Sequence, residues 1–333
     1  MTPTKIAVIG AGGWGTALSI VWSKQALEIS VWGRDPARIE QLRQSRENSA
    51  YLPGVTLPDT VGLTSDLGTC ANADVIVFVT RSTALREIAA RVRAIPIKGN
   101  AVLLSCVKGI EHGTGKRMSE ILAEIFPEHP VAVLSGPNLA PEVARELPTA
   151  TVLACAKPEI AARLQRELAT PRFRIYTAAE VAGVELGGAL KNIFAIAAGA
   201  GDGLGLGDNS KAALVTRALA EMVRLGTKMG GELRTFYGLS GAGDLIATCF
   251  SRRSRNRQVG EHLGHGRSLD EIMSAMGTVA EGIPTAKSGY GCARKLQVDT
   301  PIIDQVYSLL YQGKPPDRAV AELLQRDQKA EII

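Results

Sequence analysis

The sequence predicts an α/β domain on a mostly parallel, doubly wound sheet, followed by an all-helical domain. Three observations predict it. Short, β-branched apolar runs alternate with helical patterns through the first half of the chain. Those runs are continuously apolar, as strands buried on both faces are. After about Tyr176 they almost vanish, and helical periodicity takes over. The boundary is expected near residues 178–188, giving domains 1–182 and 183–333.

The elements follow in order. Ile6 to Ile9 reads as a buried strand, Trp14 to Gln25 as a helix, Ile29 to Trp32 as a second strand and Pro36 to Arg46 as a second helix. Asp74 to Val79 is a third strand, and Ala101 to Ser105, Val131 to Leu134 and Thr151 to Ala156 are further strands. In the second half the helices expected are Val184 to Ala200, Lys211 to Met229, Asp270 to Met276, Thr300 to Tyr311 and Arg318 to Leu324. The glycine-rich stretch Gly199 to Gly207 reads as a flexible loop.

Composition narrows the class. The 333 residues are 45% hydrophobic and 21% charged, ordinary for a packed globular protein. A formal net charge of +5 suits an anionic partner without choosing one. The five cysteines include no Cys-x-x-Cys pair and read as reduced thiols. No metal motif is expected from the four histidines. No signal peptide is read at the N-terminus. The most apolar stretch, Gly183 to Gly201, carries Glu185, Lys191 and Asn192, which a lipid-spanning helix would not readily hold. A cytoplasmic location is expected.

Gly10-Ala11-Gly12-Gly13-Trp14-Gly15 follows the first strand and opens the first helix. That context makes Gly-x-Gly-x-x-Gly a dinucleotide-binding turn of a Rossmann domain. Gly10 permits the turn, Gly12 lets backbone approach a pyrophosphate, and Gly15 lets helix and strand pack closely. The N–H groups and dipole at the helix start attract phosphate. The second strand ends in Gly33-Arg34-Asp35. Asp35 reads as the cap of the helix opened by Pro36, which frees Arg34 for the 2′-phosphate of NADP, with NAD tolerated.

Two later strands lead into Lys108-Gly109 and Ser135-Gly136-Pro137-Asn138, at the sheet edge where ligands bind. Lys191 lies in an apolar helix. Either its stem lies on apolar surface with the head in water, or the ammonium is poorly solvated and exchanges protons near neutral pH. Between Ser251 and Arg257 four arginines occur in six residues, a pattern that suits a compact phosphate site or a solvated helix start. Asp244, just upstream, would repel phosphate and suits holding a hydroxyl or orienting a lysine.

These segments together resemble bacterial NAD(P)-dependent glycerol-3-phosphate dehydrogenases over nearly the whole chain. The resemblance runs through Gly10 to Leu18, Asn48 to Leu57, Lys108 to Glu111, Ser135 to Asn138, Gly183 to Asn192, Gly238 to Leu245, Ser254 to Arg257 and Glu281-Gly282. It implies that Lys191 is the general acid for reduction and the base for oxidation. It implies that Lys108 touches cofactor and substrate, and that Gly136, Asn138, Asp244, Ser254, Arg255 and Asn256 line the substrate site. Gly13, Trp14, Arg34, Ala140, Arg255, Val279 and Glu281 would contact NADP or NAD. The family has its active site between a Rossmann domain and a helical domain, and it forms homodimers. It interconverts dihydroxyacetone phosphate and sn-glycerol 3-phosphate for phospholipid synthesis. Two departures stand out: Asn138 replaces a serine or threonine, and Thr80-Arg81 replaces a proline after the third strand.

Three rival readings are carried. A hydroxy-acid dehydrogenase would use arginine for a carboxylate. A non-catalytic dinucleotide sensor would need neither Lys191 nor Asp244. A nucleic-acid module would need a wider basic stripe with interleaved aromatics, which is missing.

Overall fold

A computed structural model describes residues 3–276, 280–328 and 330–331. The chain divides into two compact units: Met1–Val107 with Met118–Val181, and Lys108–Arg117 with Ala182–Ile333. The ten-residue segment 108–117 therefore belongs with the second unit, whereas a single boundary near residue 182 would put it in the first.

The first unit holds β1 (Thr4–Ile9), α1 (Gly13–Trp22), β2 (Leu27–Trp32), α2 (Pro36–Ser45), β3 (Gly62–Thr64), β4 (Val75–Phe78), α3 (Leu85–Arg93), β5 (Val102–Ser105) and α4 (Met118–Ile125). It continues with β6 (Val131–Ser135), α5 (Ala140–Val143), β7 (Thr149–Cys155), α6 (Pro158–Leu168) and β8 (Phe173–Ala178). The eight strands form one sheet in the order β3-β2-β1-β4-β5-β6-β7-β8. Pairing is parallel except between β6 and β7. Alternate residues of β1 enter different cores: Ile6 and Val8 pack with Leu18 and Trp22 on one face. Ala7 and Ile9 pack with Leu85 and Phe126 on the other. Both faces are covered, which is why the strands read as unbroken apolar runs. Strand order reverses at β1 and β4, and the turn after β1 lies at this switch point.

The sequence missed β3 and β8. β3 is only three residues long. β8 is an edge strand in which Phe173 and Ile175 are buried while Arg174 and Tyr176 are exposed, so it lacks the continuous apolar signature.

The second unit contains α7 (Ala182–Gly203), α8 (Gly207–Lys228), α9 (Leu233–Phe236), a π-helical turn Leu239–Gly243, α10 (Asp244–Phe250) and α11 (Arg255–Gly264). Then come α12 (Leu269–Met276), α13 (Gly282–Lys295), α14 (Pro301–Tyr311) and α15 (Pro316–Leu324). α7 is buried along almost its whole length and is packed by α8, α10, α11, α13 and α14. A helix apolar all round belongs in such a central place. No helix among the described residues is long and apolar enough to cross a membrane.

The glycine-rich stretch is not the loop expected from the sequence. α7 continues through Gly203, and only residues 204–206 link it to α8. Two of its glycines are contact points between helices. A Cβ on Gly199 would lie 1.9 Å from the Arg257 carbonyl oxygen, and one on Gly203 would lie 2.3 Å from that of Glu261. From the other helix, a Cβ on Gly260 would lie 1.9 Å from the Ile196 oxygen. α7 and α11 thus cross with their backbones touching, a packing that outweighs the local cost of glycine in a helix.

Gly260→Ala is expected to force these helices apart and to destabilise the protein by about 1–3 kcal/mol or more. Urea unfolding of the variant against the parent measures it, and an unchanged midpoint would refute the close crossing.

Candidate active site

In the first unit the Gly10–Gly15 turn is shaped by what its glycines must avoid. Gly10 has φ +135°, and a Cβ there would meet the Val79 carbonyl oxygen at 2.6 Å. On Gly15 it would lie 2.0 Å from the Gly10 oxygen. A Cβ on Gly12 would meet nothing within 4 Å, so the backbone there is open. Gly12 is the N-cap residue of α1, and its side-chain position offers no hydrogen bond to the helix's first N–H groups. The turn therefore presents unpaired donors at the positive end of a helix, a fit for a pyrophosphate.

Asn48, to which no sequence motif assigns a role, fastens this turn. It is buried, and its Nδ2 donates to Ala11 O at 3.1 Å and to Thr16 Oγ1 at 2.7 Å. Arg38 donates to its Oδ1 and lies over the Tyr51 ring. No local pattern in the sequence marks Asn48, because its burial and its partners come from long-range contacts.

Beyond β2, Asp35 caps α2, accepting from the N–H groups of Ala37 and Arg38. Arg34 is exposed beside it. Trp14 and Ala140 pack against the sheet core from its rim. Gly136 has φ +152°, and a Cβ there would press on Thr151. Thr151 donates its only hydroxyl hydrogen to Ser135 O at 3.0 Å. It must therefore accept from Asn138 Nδ2, at 2.9 Å. That fixes the Asn138 amide and leaves its buried Oδ1 without a hydrogen-bond partner.

In the second unit α7 supplies Lys191, which is only 6% exposed. Of the two readings left open for it, the reach to water is excluded. Its ammonium donates to Asp244 Oδ1 at 2.5 Å and to Thr248 Oγ1 at 2.7 Å. Lys108 Nζ lies 2.6 Å from Asp244 Oδ2. One carboxylate, itself 1% exposed, thus serves two ammonium groups. Thr248 passes its own hydrogen to Asp244 O at 2.6 Å, so its hydroxyl is free to accept from Lys191.

Spacing explains the meeting. Gly187 and Lys191 lie one turn apart on the same face of α7. A Cβ on Gly187 would lie 2.7 Å from the Ser240 oxygen, so glycine there admits the π-helical turn against α7. That approach carries Asp244, first residue of α10, onto Lys191. Thr248 follows one turn later on α10. Burial pulls the Lys191 pKa down to about 8, helped by the Lys108 charge and opposed by Asp244.

Ser254 caps α11 by accepting from Arg257 N at 3.2 Å. Arg255 is exposed at the first turn of this helix. Arg257, counted in the arginine cluster, is buried and committed to Asp202 at 2.6 Å and Glu261 at 3.1 Å. Asn256 is buried too; it donates to Asn192 Oδ1 at 2.8 Å and accepts from Gly282 N at 2.8 Å. Its amide is largely spent on joining α7, α11 and α13. Glu281 is the N-cap residue of α13. Val279 lies outside the described residues.

Comparison with known proteins decides the lineage. Family models described as the N-terminus and the C-terminus of NAD-dependent glycerol-3-phosphate dehydrogenase match residues 5–161 and 180–321. The chain belongs to the NAD-dependent glycerol-3-phosphate dehydrogenase family.

Relatives within this glycerol-3-phosphate dehydrogenase family are similar end to end. The Desulfitobacterium hafniense glycerol-3-phosphate dehydrogenase [NAD(P)+] is 46% identical over 328 residues, covering 98% of this chain and 93% of the relative. The solved glycerol-3-phosphate dehydrogenase of Coxiella burnetii superposes with a TM-score of 0.94 at 37% identity, covering 98% of this chain and all of that one. A D-mandelate dehydrogenase structure shares the fold alone, with a TM-score of 0.62 and 15% identity. The hydroxy-acid reading therefore has no support beyond architecture.

Asp244→Asn would leave the Lys191 and Lys108 ammonium groups facing each other with no carboxylate between them. It is expected to cost about 3–5 kcal/mol, the range for breaking a buried pair. Urea unfolding at neutral pH checks this. A loss below 1 kcal/mol would mean that the pair behaves as an exposed one.

Proposed function

We propose that the protein is a glycerol-3-phosphate dehydrogenase that reduces dihydroxyacetone phosphate to sn-glycerol 3-phosphate, reversibly, with NADPH or NADH. The observation that carries this reading is a buried lysine with its pKa near 8, held by Asp244 and Thr248, in a chain of this family. The reading extends to a supply role for glycerophospholipid synthesis, a cytoplasmic location and a homodimer.

The chemistry asks for a proton at the carbonyl oxygen as that oxygen gains negative charge. When bound, the reduced nicotinamide supplies the hydride to the carbonyl carbon. Lys191 supplies the proton, and in oxidation takes one up; a pKa near 8 makes both directions accessible. Asp244 keeps Lys191 charged until that moment and fixes its direction. Lys108, on the other oxygen of Asp244, adds positive charge where the alkoxide develops. Arg255 and the N-terminus of α11 suit the substrate phosphate, with Ser254 and Asn256 setting that helix start. Gly136 and Asn138 are assigned to the substrate as well. The unpartnered Oδ1 of Asn138 offers an acceptor for a hydroxyl, where a serine or threonine could donate or accept. The Gly10–Gly15 turn, with Gly13 and Trp14, takes the dinucleotide; Ala140, Val279 and Glu281 are assigned to it too. Arg34 takes a 2′-phosphate.

The direct test is NADPH and NADH oxidation on adding dihydroxyacetone phosphate. Substrate-dependent loss of absorbance is expected with both, and none with a hydroxy-acid precursor such as a 2-oxo acid. Lys191→Ala is expected to lower turnover about 10²–10⁴-fold, the usual worth of a general acid. In the reduction direction Lys191 must be protonated, so kcat/KM should fall as pH rises through about 8. An alkaline limb that persists unchanged in Lys191→Ala would remove the lysine from this role.

Arg34→Ala is expected to raise the KM for NADPH several-fold and to leave that for NADH nearly unchanged. Equal effects on both cofactors would show that Arg34 does not read the 2′-phosphate.

A further inference from the structure

The segment Lys108–Arg117 is a strap tied to the helical unit at three points. Lys108 rests on Asp244. Ile110 is 4% exposed and packs in the same apolar core as Leu186, Ala189 and Leu190 of α7. At the far end Arg117 Nη1 lies 2.7 Å from Glu185 Oε2, in the first turn of α7.

The strap is closed on itself as a hairpin. Ile110 and Arg117 face each other in an isolated antiparallel bridge. Glu111 N donates to Lys116 O at 2.9 Å, and Gly115 N donates to Glu111 O at 3.0 Å. Thr114 Oγ1 donates to Glu111 Oε2 at 2.6 Å. Gly113 and Gly115 take φ +84° and +73°, which lets the chain reverse in so few residues. Whatever fixes Arg117 therefore fixes Ile110 across the bridge, and with it Lys108 two residues away.

The Glu185 side chain is 4% exposed and that of Arg117 is 17% exposed. Such a pair is poor at adding stability and good at fixing register. Glu185 and Lys191 also share one helix. The anchor of the strap and the proton-transferring lysine are thus parts of one rigid element.

We propose that the Arg117–Glu185 ion pair is a positioning device that registers the strap on α7 and thereby holds the Lys108 ammonium on Asp244, beside Lys191. The inference rests on the reading of Lys191 as the proton donor, but its first consequence needs no turnover. Arg117→Met removes the charge and keeps the stem; Lys108 then leaves Asp244 and becomes reactive. Lys191 is faced by the Asp244 carboxylate, the Lys108 ammonium, the Thr248 hydroxyl and the Cys249 thiol. Of these, Lys108 lowers the proton affinity of Lys191, so its departure raises it.

The experiment uses the full chain without substrate. Lysine acetylation by acetic anhydride is followed by peptide mass analysis in the parent, Arg117→Met and Arg117→Lys, with melting curves for each. Labelling at Lys108 is expected to rise several-fold in Arg117→Met and to return towards the parent rate in Arg117→Lys. With dihydroxyacetone phosphate, kcat in Arg117→Met is expected to fall about tenfold or more, with a smaller change in KM. The alkaline limb of kcat/KM for reduction shifts to higher pH. Unchanged Lys108 labelling in a folded Arg117→Met overturns the proposal, as does an unmoved alkaline limb. If Arg117→Met does not fold, Glu185→Gln decides: raised labelling at Lys108 supports the proposal and parent-like labelling overturns it. A parent protein that reduces no ketone, yet shows these labelling changes, would sink the functional reading and leave the strap anchored as described.

Discussion

A helix packed on every side can carry a polar group only where a partner reaches it, and the second unit is organised by this constraint. α7 has three such groups in its buried length. Glu185 is met by Arg117, Lys191 by Asp244 and Thr248, and Asn192 by Asn256. Each partner comes from a different piece of chain: the strap, α10 and α11. The buried polar groups thus dictate which segments surround α7 and in what register, since an unmatched charge there would cost several kcal/mol.

Close approach makes the matching possible. Glycines on α7 admit the π-helical turn at Gly187 and α11 at Gly199 and Gly203. With larger residues the neighbouring backbones would stand off, and Asp244 would fall short of Lys191. The same economy governs the first unit, where Gly10 and Gly15 let β1, β4 and α1 meet and leave the backbone at Gly12 open. In both units close backbone approach is permitted by residues with no side chain at all.

Lys191 also shows how burial and pairing are balanced. Desolvation alone would strip its proton, and Asp244 alone would hold it too firmly for exchange near neutral pH. Lys108 draws on the same carboxylate and weakens that hold. The resulting proton affinity belongs to the trio rather than to any one member. It is legible only once residues 136 and 53 positions apart are brought together.

Local patterns settled the alternation of apolar runs and helices, the glycine turn after β1, Asp35 as a helix cap and the helical character of the second half. Each of these depends on neighbours within one or two turns of chain. The sequence also marked Glu185, Lys191 and Asn192 as out of place in an apolar helix, though it could not name their partners. Fastening of the glycine turn by Asn48, commitment of Arg257 and Asn256 to the interior, and membership of Lys108–Arg117 in the second unit were decided by tertiary structure. So was the continuation of α7 through a stretch that reads as loop: a glycine's local preference for turns amounts to about 1 kcal/mol, which the packing of two whole helices overrides.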